Sequence, residues 1–263
     1  MSGIEEALGV LDSAGVEVRT TGVGQPLLFL HGEDGLLFCD AFLRRLAGQF
    51  TVIAPSHPGW AGSPRTERYR CLDDIAYLYL DVMDALPGPA AVVGCSLGGW
   101  LALELATKSS RQISALTLVA PLGVRTGGPT VRHYLDRYAV PAEVLTGALY
   151  GAGGRAPDLA TLDDDQLLHL ARAQESAAYY TWEPYLHNPS LPYRLHRVRA
   201  PTLIVSGGRD GLILAGDHVE TISSRLGGPA ETLTLPDAGH RVEEQAPEEL
   251  AKATAEFVHR YAE

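Results

Sequence analysis

Cations are in short supply. Twenty-one Lys and Arg stand against 32 Asp and Glu in 263 residues, a formal net charge of −11. An acidic chain without a basic stripe is a poor match for a nucleic-acid backbone or an anionic membrane surface. Cysteine is also scarce. Cys39, Cys71 and Cys95 form no Cys-x-x-Cys pair and no Cys/His cluster. That excludes a disulfide framework and a zinc motif, and leaves the expectation of three buried free thiols in a reducing cytoplasm. No apolar run approaches the ~20 residues of a bilayer span. The start, Met1-Ser2-Gly3-Ile4-Glu5-Glu6, has neither a cationic opening nor an apolar stretch, so the expectation is no secretory signal and a cytoplasmic location. Low-complexity tracts and internal repeats are missing too. A 46% hydrophobic content is that of a globular chain long enough for one large core, or a core plus an insertion.

What is present is an alternation of short β-rich runs with helical patterns. Strands are expected at Val16–Thr20, Pro26–Leu30, Thr51–Ala54, Ala90–Val93, Ile113–Val119, Thr202–Val205 and Glu231–Leu235. Helices are expected at Leu36–Gly48, Leu72–Leu86, Gly98–Lys108, Ala215–Leu226 and Pro247–Tyr261. Continuous apolar strands imply a sheet covered on both faces, and strand–helix alternation implies that it is mostly parallel. Between about Val124 and Leu195 the rhythm breaks into short helical pieces separated by Gly and Pro. The expected organisation is a core in two parts, 1–123 and 196–263, with a helical cap inserted at 124–195.

The chemistry centres on Gly94-Cys95-Ser96-Leu97-Gly98, which follows an apolar β-run and opens a helix. A serine at the tip of such a turn needs neighbours without a Cβ, because the backbones pass too closely. Its hydroxyl is a weak nucleophile until a base stands within hydrogen-bond reach and a third group orients that base. Two such groups follow at strand ends. Asp210 lies in Ser206-Gly207-Gly208-Arg209-Asp210-Gly211, and His240 in Pro236-Asp237-Ala238-Gly239-His240. Both fall where an open parallel sheet places its ligand crevice. Asp237 reads as a turn residue.

With the order Ser96, Asp210, His240, the chain resembles the α/β-hydrolase superfamily over its whole length, in particular the capped serine hydrolases, esterases and meta-cleavage-product hydrolases among them. The resemblance implies an α/β-hydrolase fold: a mostly parallel sheet flanked by helices, with an inserted helical cap. His31-Gly32-Glu33-Asp34-Gly35 is similar to the family's His-Gly loop, so the backbone N–H groups of Glu33 and Leu97 are the implied oxyanion-hole donors. Ser56–Ser63 is similar to the family's Pro-Gly-x-Gly-x-Ser loop, and Glu244 with Ala246-Pro247 to the segment after its histidine. A serine at the elbow excludes the aspartate-nucleophile chemistry of the epoxide hydrolases and haloalkane dehalogenases. Acyl transfer through serine needs no cofactor, and neither a metal motif nor a phosphate loop is present. Glu33 and Asp34 depart from the family's pattern. Beside an oxyanion hole these carboxylates must either point away or pair with a cation.

Other residues read as structural. His31 and His57 brace their loops, Cys95 packs, and His133, His169, His187, His196, His218 and His259 default to surface or cap positions. Seven of the 11 tyrosines lie in the insertion. They suit either a pocket for an aromatic or amphipathic small molecule or a damp seam between cap and core; Trp182, Tyr185 and Tyr138 are the pocket residues expected. The leading expectation is a hydrolase of a small carbonyl substrate, a carboxylic ester first. One alternative is C–C hydrolysis of a vinylogous diketone, for which Arg125, Arg132 and Arg172 could read a carboxylate. Another is a non-hydrolytic relative, a ligand-binding or pathway protein. Expected partners are small molecules, with neither nucleic acid nor membrane.

Overall fold

A computed structural model of the chain describes residues 3–109, 111–128 and 130–261; Met1 and Ser2 of the N-terminal reading lie outside them. Helix α1 (Gly3–Ser13) precedes strands β1 (Val18–Thr21) and β2 (Gln25–Leu30), helix α2 (Asp40–Leu46), strand β3 (Phe50–Pro55) and helix α3 (Leu72–Ala85). Strand β4 (Ala90–Cys95), helix α4 (Leu97–Lys108) and strand β5 (Ile113–Val119) complete the first part. Helices α5 (Ala142–Tyr150), α6 (Asp164–Thr181) and α7 (Leu191–Arg194) follow. Strand β6 (Thr202–Gly207), helix α8 (His218–Ser223), strand β7 (Ala230–Leu235) and helices α9 (Val242–Gln245) and α10 (Pro247–Tyr261) close the chain.

The seven strands form one sheet in the order β1-β3-β2-β4-β5-β6-β7. Only β1 pairs antiparallel, with β3; the other pairs are parallel. Side chains alternate across a strand, so one β-run feeds both faces. Leu28, Leu30, Val92, Leu116 and Ile204 face a core shared with α1, α3 and α4. Leu27, Phe29, Val93, Ala115 and Val205 face the core under α2 and α10. Burying both faces is why β2, β4 and β5 read as continuous apolar runs.

The central strands and the helices α3, α4 and α10 fall close to their expected positions. Two readings change. Helix α1 was not expected at all; its buried face is carried by Ala7 and Leu11. The helix expected over 36–48 starts only at Asp40, since 33–38 forms turns. The stretch between β5 and β6 carries helices and two isolated bridges, but no strand among the described residues. α6 is closed at its start by reciprocal bonds: Gln166 N donates to Asp163 Oδ1 (2.8 Å) and Asp163 N to Gln166 Oε1 (3.0 Å). No helix among the described residues is long and apolar enough to cross a membrane.

Candidate active site

The turn from β4 into α4 holds Ser96 at φ 50°, ψ −112°, a region that L-residues occupy only when the surroundings force it. Here they do. A Cβ on Gly94 would lie 2.3 Å from the Gly98 carbonyl oxygen, and one on Gly98 would lie 2.0 Å from the Leu30 carbonyl oxygen. The glycines therefore let α4 close against β2 and push the serine out of the sheet end.

The loops after β6 and β7 bring the other two groups to it. His240 Nε2 lies 2.6 Å from Ser96 Oγ, and His240 Nδ1 lies 2.8 Å from Asp210 Oδ2. The second oxygen of Asp210 accepts from Leu212 N (2.8 Å) and Ile213 N (3.0 Å), which fixes the carboxylate. Burial pushes the Asp210 carboxyl up, but His240 and the two backbone donors outweigh it and its pKa falls. Burial disfavours a charged His240; Asp210, helped by Glu33, overcomes it and raises the ring's pKa. Asp237 stays in its turn, pairing with Arg209 at the surface.

Glu33 does not point away. It is fully buried, and its Oε1 accepts from Ser96 Oγ at 3.0 Å. The side chain thus stands directly beside the Ser96 hydroxyl, on the loop whose Glu33 N–H is expected to face an oxyanion. The cations are two arginines. Arg241 Nη1 donates to Glu33 Oε2 at 3.1 Å, and Arg137 Nη1 lies 3.3 Å from Glu33 Oε1. Burial alone would lift the Glu33 carboxyl; Arg241, Arg137 and His240 hold it down at about 2.

These contacts belong to a closed ring. Arg241 Nη2 also binds Asp34 Oδ2, Gln174 Nε2 donates to Asp34 Oδ1, and Arg137 Nη2 donates to Gln174 Oε1 at 3.0 Å. The ring ties the loop after β2 to the helical stretch and to the residue after His240. Gly32 makes room for it, because a Cβ there would lie 2.7 Å from Arg241 Nη1. Arg137 is carried in by a segment running beside the acid loop: Leu135 N donates to Leu212 O (2.8 Å) and Leu214 N to His133 O (2.8 Å).

Around this centre the bracing histidines behave as read. His57 N donates to His31 Nε2 (3.0 Å), and the His31 ring meets Gly32 O through Nδ1 (2.7 Å). Burial lowers His31 to about 4 and holds His57 well below the ordinary histidine value, so both rings are neutral. Two expectations need correction. His218 is neither a surface nor a cap residue: it is buried, and its Nδ1 meets Nε2 of the likewise buried His133, within 124–195, at 2.8 Å, the cost of burial being met by pairing. Cys71 is exposed, while Cys39 and Cys95 are buried. Trp182 follows the last turn of α6 and is 64% exposed.

Tyr185 and Tyr138 lie against Arg137 instead. The Tyr185 hydroxyl accepts from Arg137 N (2.8 Å) and donates to Leu135 O (3.0 Å), while the Tyr138 ring sits 5.7 Å from the Arg137 guanidinium. Among the described residues no cluster of His, Cys, Asp or Glu is arranged to hold a metal ion; the acidic groups here surround a guanidinium.

A family model described as the alpha/beta hydrolase family matches residues 27–253. The chain belongs to the alpha/beta hydrolase family. It is 27% identical over 256 residues to the dihydrolipoyllysine-residue acetyltransferase component of the acetoin cleaving system of Pseudomonas putida, covering 90% of this chain and 64% of that protein. The chain thus spans less than two thirds of that relative's length. It is also 27% identical over 246 residues to a pimeloyl-[acyl-carrier protein] methyl ester esterase of Nitrosomonas europaea, covering 86% of this chain and 93% of that one. Among solved structures, a meta-cleavage product hydrolase from Pseudomonas fluorescens IP01 superimposes with a TM-score of 0.73 at 20% identity, over 94% of this chain and 96% of that one. That likeness is one of fold.

Within this family frame, sequence reasoning missed Arg137 and Arg241. A signal existed for one. Two adjacent carboxylates at an oxyanion loop must point away or pair with a cation, and Arg241 follows His240 directly. Arg137 carried no such cue. Of the arginines weighed for carboxylate reading, Arg125 donates to Val131 O and Arg172 to Ala61 O.

Proposed function

We propose that the chain is a serine hydrolase of a small carbonyl substrate, a carboxylic ester first. Ser96 is the nucleophile, His240 the base and Asp210 the group that orients it. The observation that carries the reading is the continuous relay from Ser96 Oγ through the His240 ring to Asp210. As Oγ attacks the acyl carbon, Nε2 accepts its proton and then delivers it to the departing alkoxide. Asp210, held by two backbone N–H groups, fixes the tautomer and stabilises the imidazolium. Water then attacks the acyl-enzyme with the same histidine as base.

The backbone N–H groups of Leu97, at the start of α4, and of Glu33 are the proposed oxyanion donors; such donors supply about 3–4 kcal/mol where charge develops. Residues 124–195 are taken as the cap and 1–123 with 196–263 as the core, with Tyr138 and Tyr185 lining the approach. The proposed setting is cytoplasmic, with small-molecule partners and no cofactor.

A fluorophosphonate probe and p-nitrophenyl acetate test the reading. Wild type is expected to label and to turn over the ester. Ser96→Ala should do neither, with a loss of at least about 1,000-fold in kcat. Equal turnover by mutant and wild type would remove Ser96 from its role. Running ring-fission diketones beside short esters decides the bond cleaved.

A further inference from the structure

The ring around Glu33 has the composition of a ligand site with an occupant already in it. The geometry points to an anion subsite beside Ser96, built from Arg137 and Arg241, that takes a carboxylate carried by the substrate and is filled here by the side chain of Glu33. This rests on the reading of Ser96 as nucleophile and adds a substrate class to it: esters whose acyl part bears its own carboxylate.

The position of Glu33 Oε1 carries the inference. That one oxygen lies 3.0 Å from Ser96 Oγ and 3.3 Å from Arg137 Nη1. The acyl carbon attacked by Ser96, with its oxygen, needs room beside Oγ, so Glu33 must withdraw before chemistry. Arg137 Nη1, on a side chain 3% exposed, makes no hydrogen bond with any protein group. It is a buried donor aimed at the Glu33 oxygen without a settled partner, which is unusual enough to require a reason.

Hydrogen counting gives a second line. Ser96 has one hydroxyl proton but two acceptors, His240 Nε2 and Glu33 Oε1. Both contacts are hydrogen bonds only if Ser96 donates to Glu33 and a doubly protonated His240 donates to Ser96. With Glu33 in place the base therefore already holds the proton it must accept. The occupied arrangement is a resting form from which neutral esters react slowly; Asp210 and Glu33 favour the charged ring and Arg241 opposes it.

Charge then selects what displaces Glu33. Arg241 keeps Asp34 as a counter-charge. Arg137 does not: Glu33 is the carboxylate within ion-pair distance of it among the described residues, and its other side-chain partner is the neutral Gln174. A neutral ester that expels Glu33 leaves a buried guanidinium uncompensated, which is strongly unfavourable. An ester that brings a carboxylate restores the pair.

Glu33→Ala tests this without relying on turnover. Removing the side chain empties the subsite, and a small carboxylate should refill it. Formate at 100 mM is expected to raise the melting temperature of Glu33→Ala by about 3 °C over chloride at matched ionic strength, and to leave wild type and Glu33→Ala/Arg137→Gln unmoved. A cooperatively folded Glu33→Ala that responds to formate no more than to chloride overturns the proposal.

Should Glu33→Ala not fold, the isosteric Glu33→Gln serves through kinetics. Its kcat/KM for a p-nitrophenyl hemiester of a short dicarboxylic acid should exceed that for the neutral ester of equal length by at least about tenfold, and adding Arg137→Gln should collapse that ratio. A ratio near one in Glu33→Gln overturns the proposal. Absence of fluorophosphonate labelling in wild type and Glu33→Ala alike would strike the nucleophile reading alone, because the formate shift does not depend on it.

Discussion

At Ser96 a strained backbone, a base and a buried carboxylate meet within hydrogen-bond distance, and the proton inventory of three side chains governs what the site can do. Asp210 and Glu33 both favour the charged His240 ring, and together they outweigh its burial. The sign follows: with the folded pKa above 6.5, His240 in its proposed role as base is protonated and inactive until pH rises beyond the usual histidine value. The ascending limb of kcat/KM is therefore expected above pH 6.5. Glu33→Gln, which keeps shape and removes charge, should move that limb to lower pH. A limb at or below 6.5 in wild type, or one unmoved by Glu33→Gln, defeats this account of the ring. Ser96, Asp210 and His240 were legible because each follows a strand with its own local turn chemistry. That Glu33 and Asp34 must either point away or pair with a cation was legible from charge alone. Which cation answered it was not, since Arg137 and Arg241 converge from positions 104 residues apart in chain numbering.

Between β4 and α4 the decisive quantity is the closeness of backbones. Gly98 admits no Cβ without a 2.0 Å approach to the Leu30 carbonyl oxygen and 2.5 Å to that of His31, and neither carbonyl is the end of a flexible side chain. Gly98→Ala must push α4 off β2, tilting the turn that aims Ser96. A stability loss of about 3 kcal/mol is expected by urea unfolding, together with weakened probe labelling. Wild-type unfolding in this variant would mean that the turn is looser than its contacts indicate. The interior elements were readable because their apolar pattern is dictated by burial on both faces. At the periphery that cue fades. β7, at the sheet edge, alternates half-buried and exposed residues, and α1 buries only Ala7 and Leu11, too little to stand out as a helical stripe. The start of α2 was overdrawn because Leu36 and Cys39 are buried from turns rather than from a helix.

The molecule as a whole is joined by contacts that no local pattern announces. α6 is fastened to the loops after β3: Ser176 Oγ donates to Gly59 O (2.7 Å), Arg172 Nη1 to Ala61 O (3.0 Å), and Tyr180 hydroxyl to Tyr69 O (3.0 Å). The Tyr180 ring stacks on Trp60 at 5.5 Å, and Trp60 Nε1 in turn donates to Glu33 O at 2.9 Å. One ring stack therefore links α6 to the backbone of Glu33. The chain separation, 120 residues between Trp60 and Tyr180, is why neither residue's sequence surroundings revealed the pairing. Tyr180→Ala removes a buried ring and its stack, and should cost about 3 kcal/mol of stability. Tyr180→Phe keeps the ring, loses only the bond to Tyr69 O, and should cost about 1 kcal/mol. Urea titrations of the two variants separate the contributions. If both lose the same small amount, the insertion is not held to the core through this stack, and the coupling from α6 through Trp60 to Glu33 fails with it.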